Sequence, residues 1–269
     1  MLWEASLKRS STQLQPVRRT PRELAPAPCA SACREPPNTV NRNPSLYLGI
    51  LEANEVLTRL IGPENSLQWM ALYPDAMGRF IERIFQFSLA ALKAQIQAAS
   101  GKLDGMVIWG DVAYKKGLLF SPVFWRKHFK PGVAALIAEC HSHDLPVIYH
   151  GCSNVNKIFA DFVEIGVDAY NPLEAKAGMD VIDLRRRFGH QIGFCGNIDV
   201  QLWAAGTLDE IKAAALTKLN AAKGGGFIFQ SDHSVPNDIS GEKYDYVVKL
   251  IREYGKYPLR LGEYDLAMS

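Results

Sequence analysis

Five short apolar runs, each leading into polar residues and then into a helical pattern, constrain this chain more than any other feature. They are Gly105 to Trp109, Pro146 to Tyr149, Val167 to Tyr170, Gln191 to Phe194 and Gly226 to Gln230. Strands that are apolar throughout, without polar alternation, are buried on both faces, and a repeated strand–helix unit gives parallel strands covered by helices. A barrel and an open doubly wound sheet both satisfy that pattern. The strand ends separate them: Asp111, then His150 and Cys152, then Asn171 and Glu174, then Cys195, Asn197 and Asp199, then Asp232 and His233. A (β/α)₈ barrel gathers its C-terminal strand ends on one face, where its active site lies. An open sheet would spread them along a line and carry a Gly-rich phosphate turn after a strand. Gly224-Gly225-Gly226 precedes its strand and reads as a helix stop. The expected fold is therefore α/β of the TIM-barrel type. With five clear strands and one more before Leu72, it is incomplete, its first βα units missing.

The helices between these runs are legible from their apolar spacing. Pro74 and Asp75 open a long helix to about Ala99, with Met77, Phe80, Ile81, Ile84, Leu92 and Ile96 inward. Ser121-Pro122 starts helical segments reaching His143, broken near Pro131. Val155, Ile158, Phe159, Phe162 and Val163 fall at helical spacing and predict a helix stopped by Gly166. Asp180 to Phe188 is a helix closed by Gly189, and Thr207-Leu208-Asp209-Glu210 has the form of a capping box. A last helix runs from Ser240 to Tyr254 with Tyr244, Val247, Val248 and Ile251 inward.

The chain has two compositional parts. Residues 1 to 45 hold seven of the 15 prolines and seven of the 30 basic residues against three of the 28 acidic ones. They show no apolar period and read as a disordered Pro/Arg-rich tail, leaving residues 46 to 269 as the barrel domain. That body is near neutral, which argues against a nucleic-acid partner. No apolar run approaches the length of a membrane span. Five cysteines of odd count suit a reducing compartment, so a cytoplasmic enzyme is the expectation. The basic, acid-poor tail weakly resembles an organelle transit peptide, the alternative location.

The chemistry-bearing residues are the strand ends. His150-Gly151-Cys152 offers an imidazole nitrogen and a thiolate sulfur, the pair zinc prefers, on a loop short enough for both to reach one ion. Asp232-His233, a carboxylate beside an imidazole, suits general acid work or ligation, and Asp111 joins them as a catalytic candidate. Asn171, Glu174, Asn197 and Asp199 are the expected substrate contacts, with loop caps and turn formers the plainer reading. Cys195 and Cys140 read more simply as core filler.

Ordered motifs then carry a resemblance: Gly117-Leu118-Leu119-Phe120-Ser121-Pro122, His150-Gly151-Cys152-Ser153-Asn154, Gly166-Val167-Asp168-Ala169-Tyr170-Asn171-Pro172, Ala177-Gly178-Met179-Asp180, Gly196-Asn197-Ile198-Asp199 and Gly225-Gly226-Phe227-Ile228. The stretch from about Ser45 to Tyr264 resembles the uroporphyrinogen decarboxylase superfamily, which includes cobalamin-linked methyltransferases. The resemblance implies a (β/α)₈ barrel with its cleft at the C-terminal face. Its methyltransferase branch is similar at His150-x-Cys152, where that branch binds zinc and turns a thiol substrate into a thiolate. Its third ligand there is a cysteine; this chain has Ser231-Asp232-His233 instead, which makes His233 the expected third ligand, with Asp232 or Cys195 as alternatives. The decarboxylase branch needs no cofactor and holds its tetrapyrrole carboxylates with an arginine-rich segment for which this chain has no match.

The resemblance thus implies zinc-assisted methyl transfer between a corrinoid, free or carried on a corrinoid protein, and a thiol or methylated small molecule. The alternatives are decarboxylation of uroporphyrinogen in porphyrin biosynthesis and an inactive or split half-barrel binding a tetrapyrrole or a partner chain. A mis-called start, a truncated gene or a split protein each explain the missing units. Unpaired sheet edges invite a homodimer.

Overall fold

A computed structural model of the chain describes residues 45–268. The tail expected over residues 1 to 45 lies, but for Ser45, outside them. β1 (Tyr47–Leu51) passes through α1 (Ala53–Ile61) and α2 (Pro63–Leu72) into the long α3 (Pro74–Ala99). β2 (Gly105–Trp109) is followed by a small antiparallel hairpin, β3 (Ala113–Tyr114) and β4 (Gly117–Leu118), then by α4 (Pro122–His128) and α5 (Lys130–His141). The remaining units are β5 (Val147–His150), α6 (Phe159–Glu164), β6 (Ala169–Leu173), α7 (Val181–Phe188), β7 (Gly193–Ile198), α8 (Val200–Ala205), α9 (Leu208–Leu219), β8 (Phe227–Ser231) and α10 (Gly241–Tyr254).

Six strands form one sheet in chain order, β1-β2-β5-β6-β7-β8, and every neighbouring pair is parallel. Sequential parallel strands with interleaved helices are the TIM-barrel arrangement. Among the described residues the barrel does not close, and β1 and β8 are its edges. Alternation divides each strand between two faces. One face carries Met106, Ile108, Val147, Tyr149, Tyr170 and Phe194, all buried in the main core, which includes Ile81, Leu92 and Phe162 from the helices. The other carries Tyr47, Trp109 and Ile228, which are 38%, 41% and 55% exposed. That is the face a closed barrel would enclose.

Several element boundaries follow from side chains that take up the free amides of a first helical turn. Ser121 accepts from Phe124, Asp180 from Ile182 and Asp183, and Ser240 from Lys243. Thr207 and Glu210 form the capping box their spacing predicts. Two expectations fail. The helix predicted from Val155 begins only at Phe159. Asn154 accepts from the Asn156 amide and donates to Ala177 O, and Asn156 donates to Gly178 O, so side-chain bonds to backbone hold the preceding residues as turns. Val155 and Ile158 are fully buried all the same. Tyr244, expected inward on α10, is 46% exposed and stacks on Trp203 at the helix margin.

Two polar strand-end residues are clamps. Asn197 is fully buried; its Nδ2 donates to Leu173 O and Met179 O, both at 2.7 Å, and its Oδ1 accepts from the Val181 amide at 3.1 Å. Asp232 is equally buried, and its two oxygens accept the Ala175 and Val200 amides at 3.1 Å each. Together they tie the loops after β6, β7 and β8 to one another. Glu52, capping α1 at the end of β1, is fully buried as well. Its Oε1 accepts the Asn54 amide at 3.0 Å, while Oε2 has no partner among the described residues. Burial pushes its carboxyl up to about 8.

Asn197→Ala leaves three backbone groups unsatisfied and is expected to cost on the order of 3 kcal/mol or more in urea unfolding. Glu52 binds its proton more tightly folded than unfolded, so the stability it contributes is present below about 4.5 and is lost as pH rises to about 8. Glu52→Gln is expected to raise stability at pH 8 by on the order of 1–4 kcal/mol and to flatten the decline between pH 5 and 8. An unchanged slope in that variant would show that another group carries it.

Candidate functional site

The parallel register aligns three inward side chains across neighbouring strands: Trp109 pairs with His150, and His150 with Asn171. The Trp109 ring lies 4.3 Å from the His150 ring, centroid to centroid. It reaches toward β1 because Gly49 has no side chain there; a Cβ on Gly49 would stand 2.5 Å from the indole nitrogen. On the other side His150 Nδ1 meets Asn171 Oδ1 at 2.6 Å. An amide oxygen only accepts, so Nδ1 carries the proton and Nε2 presents its lone pair. That lone pair faces Cys152 Sγ at 3.7 Å.

Around Cys152 the strand ends converge. The ligand atoms of Asp111, His150 and Cys152 all lie within 4.8 Å of one another, and so do those of Cys152, Glu174 and His233. Asp111 Oδ1 accepts the Cys152 amide at 2.7 Å, which fixes the start of the loop. Glu174 is buried, and its Oε1 is 3.8 Å from Nε2 of His233, which is largely exposed at the rim. Burial is the main cause that pushes the Cys152 thiol up to about 12, and the carboxylates of Asp111 and Glu174 add to it. Left to these neighbours Cys152 stays a protonated thiol.

The donor set fits a divalent thiophilic ion. Zinc binds sulfur at about 2.3 Å and imidazole nitrogen at about 2.0–2.1 Å, so two such ligands on a tetrahedral ion stand about 3.6 Å apart. The Sγ to Nε2 separation of 3.7 Å matches that edge. The Nδ1 bond to Asn171 is the outer support that metal-ligating histidines commonly have. The two donor groups share only Cys152: Asp111 stands with His150 and Cys152 and can supply the third donor, whereas His233, the third ligand expected from the sequence, groups with Cys152 and Glu174 and not with His150.

Other residues expected at the site lie elsewhere. Cys195 is buried, belongs to neither donor group, and lines a cavity with Pro146, Asp168, Ile192 and Gly226 at the N-terminal ends of the strands. Its inward position low on β7 keeps it from serving as third ligand. Asp232 and Asn197 are the buried clamps described above, their polar atoms committed to backbone. Asp199 caps α8, its Oδ1 accepting the Gln201 amide at 2.8 Å. Asn171 stands against His150, so its amide oxygen is engaged. Trp109 and Glu52 had no place among the expected site residues. Trp109 closes an apolar run and so reads as core, and Glu52 follows the one strand whose apolar pattern is weak.

Comparison with known proteins places this geometry. The family model for uroporphyrinogen decarboxylase matches residues 54–254. A uroporphyrinogen decarboxylase of Pseudomonas entomophila is 25% identical over 184 residues, covering 67% of this chain and 49% of that protein. One from Actinobacillus pleuropneumoniae is 25% identical over 185 residues, covering 68% and 50%. The chain therefore spans about half the length of the curated relatives it matches. Among solved structures, a methyltransferase from Methanosarcina mazei superposes with a TM-score of 0.61 at 20% identity, covering 81% of this chain and 61% of that one. At that identity the likeness is one of fold, and it agrees with the sequential parallel sheet. Since the family model spans the chain from within α1 to the end of α10, the protein belongs to the uroporphyrinogen decarboxylase family.

Proposed function

We propose that the cleft holds a zinc ion through Asp111, His150 and Cys152, the donor group that converges there, and serves methyl transfer from a corrinoid to a small thiol. The observation that carries this reading is the pairing of Cys152 Sγ with Nε2 of His150 at 3.7 Å, with an Asp111 oxygen within 4.8 Å of both. Zinc, when bound, acts as a Lewis acid that keeps a thiol substrate in its thiolate form near neutral pH. The chain's own residues do the rest. Asn171 and Trp109 hold the His150 imidazole in one tautomer and one plane. Asp111 fixes the Cys152 amide and, with Glu174, supplies negative charge that favours a cation. His233, beside Glu174 and within reach of Cys152, is placed to exchange a proton with the incoming thiol. In the transfer the substrate sulfur forms a bond to the methyl carbon while the cobalt–carbon bond breaks, and cobalt keeps the electron pair. The corrinoid is a substrate here, free or borne by a partner protein. The edges β1 and β8, unpaired among the described residues, support pairing with a second copy of the chain.

The names of the curated relatives favour a second reading, uroporphyrinogen decarboxylation in porphyrin biosynthesis without a metal. The lining of the cleft weighs against it, since Asp111 and Glu174 would repel a substrate rich in carboxylates. An inactive half-barrel is the third outcome.

Competition against a chromophoric chelator is expected to give one zinc per chain. Cys152→Ser or His150→Ala should weaken binding by about 100-fold or more, and Asp111→Ala by about tenfold. Absence of zinc above background in the unaltered chain would overturn the reading. With methylcobalamin and a small thiol, loss of the cobalt–carbon absorption should be at least about 100-fold slower in Cys152→Ser. Carbon dioxide release from uroporphyrinogen with no dependence on Cys152 would favour the decarboxylase instead.

A further inference from the structure

Two buried tyrosines share one register on neighbouring strands. Tyr149 on β5 pairs with Tyr170 on β6, and both are fully buried on the helix-facing side of the sheet. Their rings are 5.9 Å apart and pack against Phe162 at 4.5 and 5.3 Å. Phenylalanine would fill this layer as well, as it does at Phe159 and Phe162. A hydroxyl buried there is costly unless it is bonded, and both hydroxyls are. Tyr149 donates to Gly110 O at 3.1 Å, and Tyr170 donates to Gly151 O at 2.8 Å.

The two acceptors are equivalent positions. Gly110 immediately precedes Asp111, and Gly151 immediately precedes Cys152. The N–H side of each of these peptide units is held as well: the Asp111 amide donates to Glu55 Oε1 at 3.3 Å, and the Cys152 amide donates to Asp111 Oδ1 at 2.7 Å. Each peptide plane ahead of a candidate donor is therefore fixed at both ends, by a tyrosine hydroxyl and by a carboxylate. Glycine is required for this approach. A Cβ at Gly110 would stand 2.1 Å from the Tyr149 hydroxyl, and one at Gly151 2.8 Å from the Tyr170 hydroxyl.

We propose that Tyr149 and Tyr170 are positioning residues, which act from behind the sheet to set the direction of the Asp111 carboxylate and the Cys152 thiol. The proposal rests on the reading of Asp111, His150 and Cys152 as the donors of a metal site. Neither tyrosine faces the cleft, so each acts only through the loop whose carbonyl it holds. Removal of one hydroxyl leaves its peptide plane held at one end only, and the side chain that follows it samples a wider range of directions about the site.

The test uses Tyr149→Phe and Tyr170→Phe in the full chain, with Phe162→Leu as a control that loosens the same aromatic layer without touching a carbonyl. Cobalt(II) reports on the site through its thiolate charge-transfer band. Tyr170→Phe is expected to weaken cobalt binding about 10–100-fold and to shift that band, while Phe162→Leu lowers the melting temperature but holds affinity within about twofold. Amide exchange in the metal-free chain gives an independent measure. There Tyr170→Phe should speed exchange at Cys152, and Tyr149→Phe at Asp111, by about tenfold or more, with the amides of β2 unchanged. Wild-type chain that takes up no cobalt would overturn the metal reading but leave the exchange result to decide the positioning role. Unchanged exchange at both amides, or equal loss of cobalt affinity in Phe162→Leu, would overturn the positioning role whatever the metal arm gives.

Discussion

The site depends on parallel strands paired without slippage. A shift of one residue between β2 and β5 or between β5 and β6 would turn His150 away from Trp109 or from Asn171. In the observed register His150 is held between an indole face and an amide oxygen, which leaves Nε2 directed at Cys152. The same register places Tyr149 and Tyr170 side by side on the opposite face, under the carbonyls of Gly110 and Gly151. One pairing pattern thus orders both the donors and the groups that hold their loops.

Much of this was legible in the chain itself, for identifiable reasons. β2 coincides with the apolar run Gly105 to Trp109, and α3 with the pattern opened by Pro74, because burial on both faces and an amphipathic stripe leave direct traces in residue type. The caps at Ser121, Asp180, Thr207 and Ser240 were legible because a single side chain close to its own helix makes the bond. The polar strand ends were less so. Periodicity stops where the strand stops, and nothing local distinguishes Asn197, whose amide is consumed by three backbone groups of the β6–α7 connection, from Asp111, which stands beside Cys152. Those partners lie 16 to 41 residues away in sequence. The His150 and Cys152 pairing needed only a two-residue loop, so it was visible; Trp109 required the register of a neighbouring strand.

The open sheet bears on the same question from the other side. β1 and β8 contain no proline and no charged residue, the features that usually protect an exposed edge. The inward residues Tyr47 and Ile228 on these edges are exposed, while the helix-facing layer behind them is packed. Among the described residues the sheet is packed on its helix side and open on its barrel side. The donors themselves come from β2, β5, β6 and β8 and the loops after them, so the ring around Cys152 assembles without the strands that would close the barrel.

Charge then limits what this ring can accept. Asp111 and Glu174 stand close to Cys152, in a partly buried setting where like charges interact far more strongly than in water. Burial first, and these carboxylates after it, keep the proton on the thiol up to about 12. A neutral thiol is a poor nucleophile and a poor ligand, so Cys152 does chemistry only when something supplies positive charge within the same few ångströms. His150 directs Nε2 there while its Nδ1 is held by Asn171. His233 stands 3.8 Å from Glu174 and groups with Cys152 but not with His150. A divalent cation among these donors would balance the carboxylates and release the thiolate together, and the same acidic lining that raises the thiol is what would retain it.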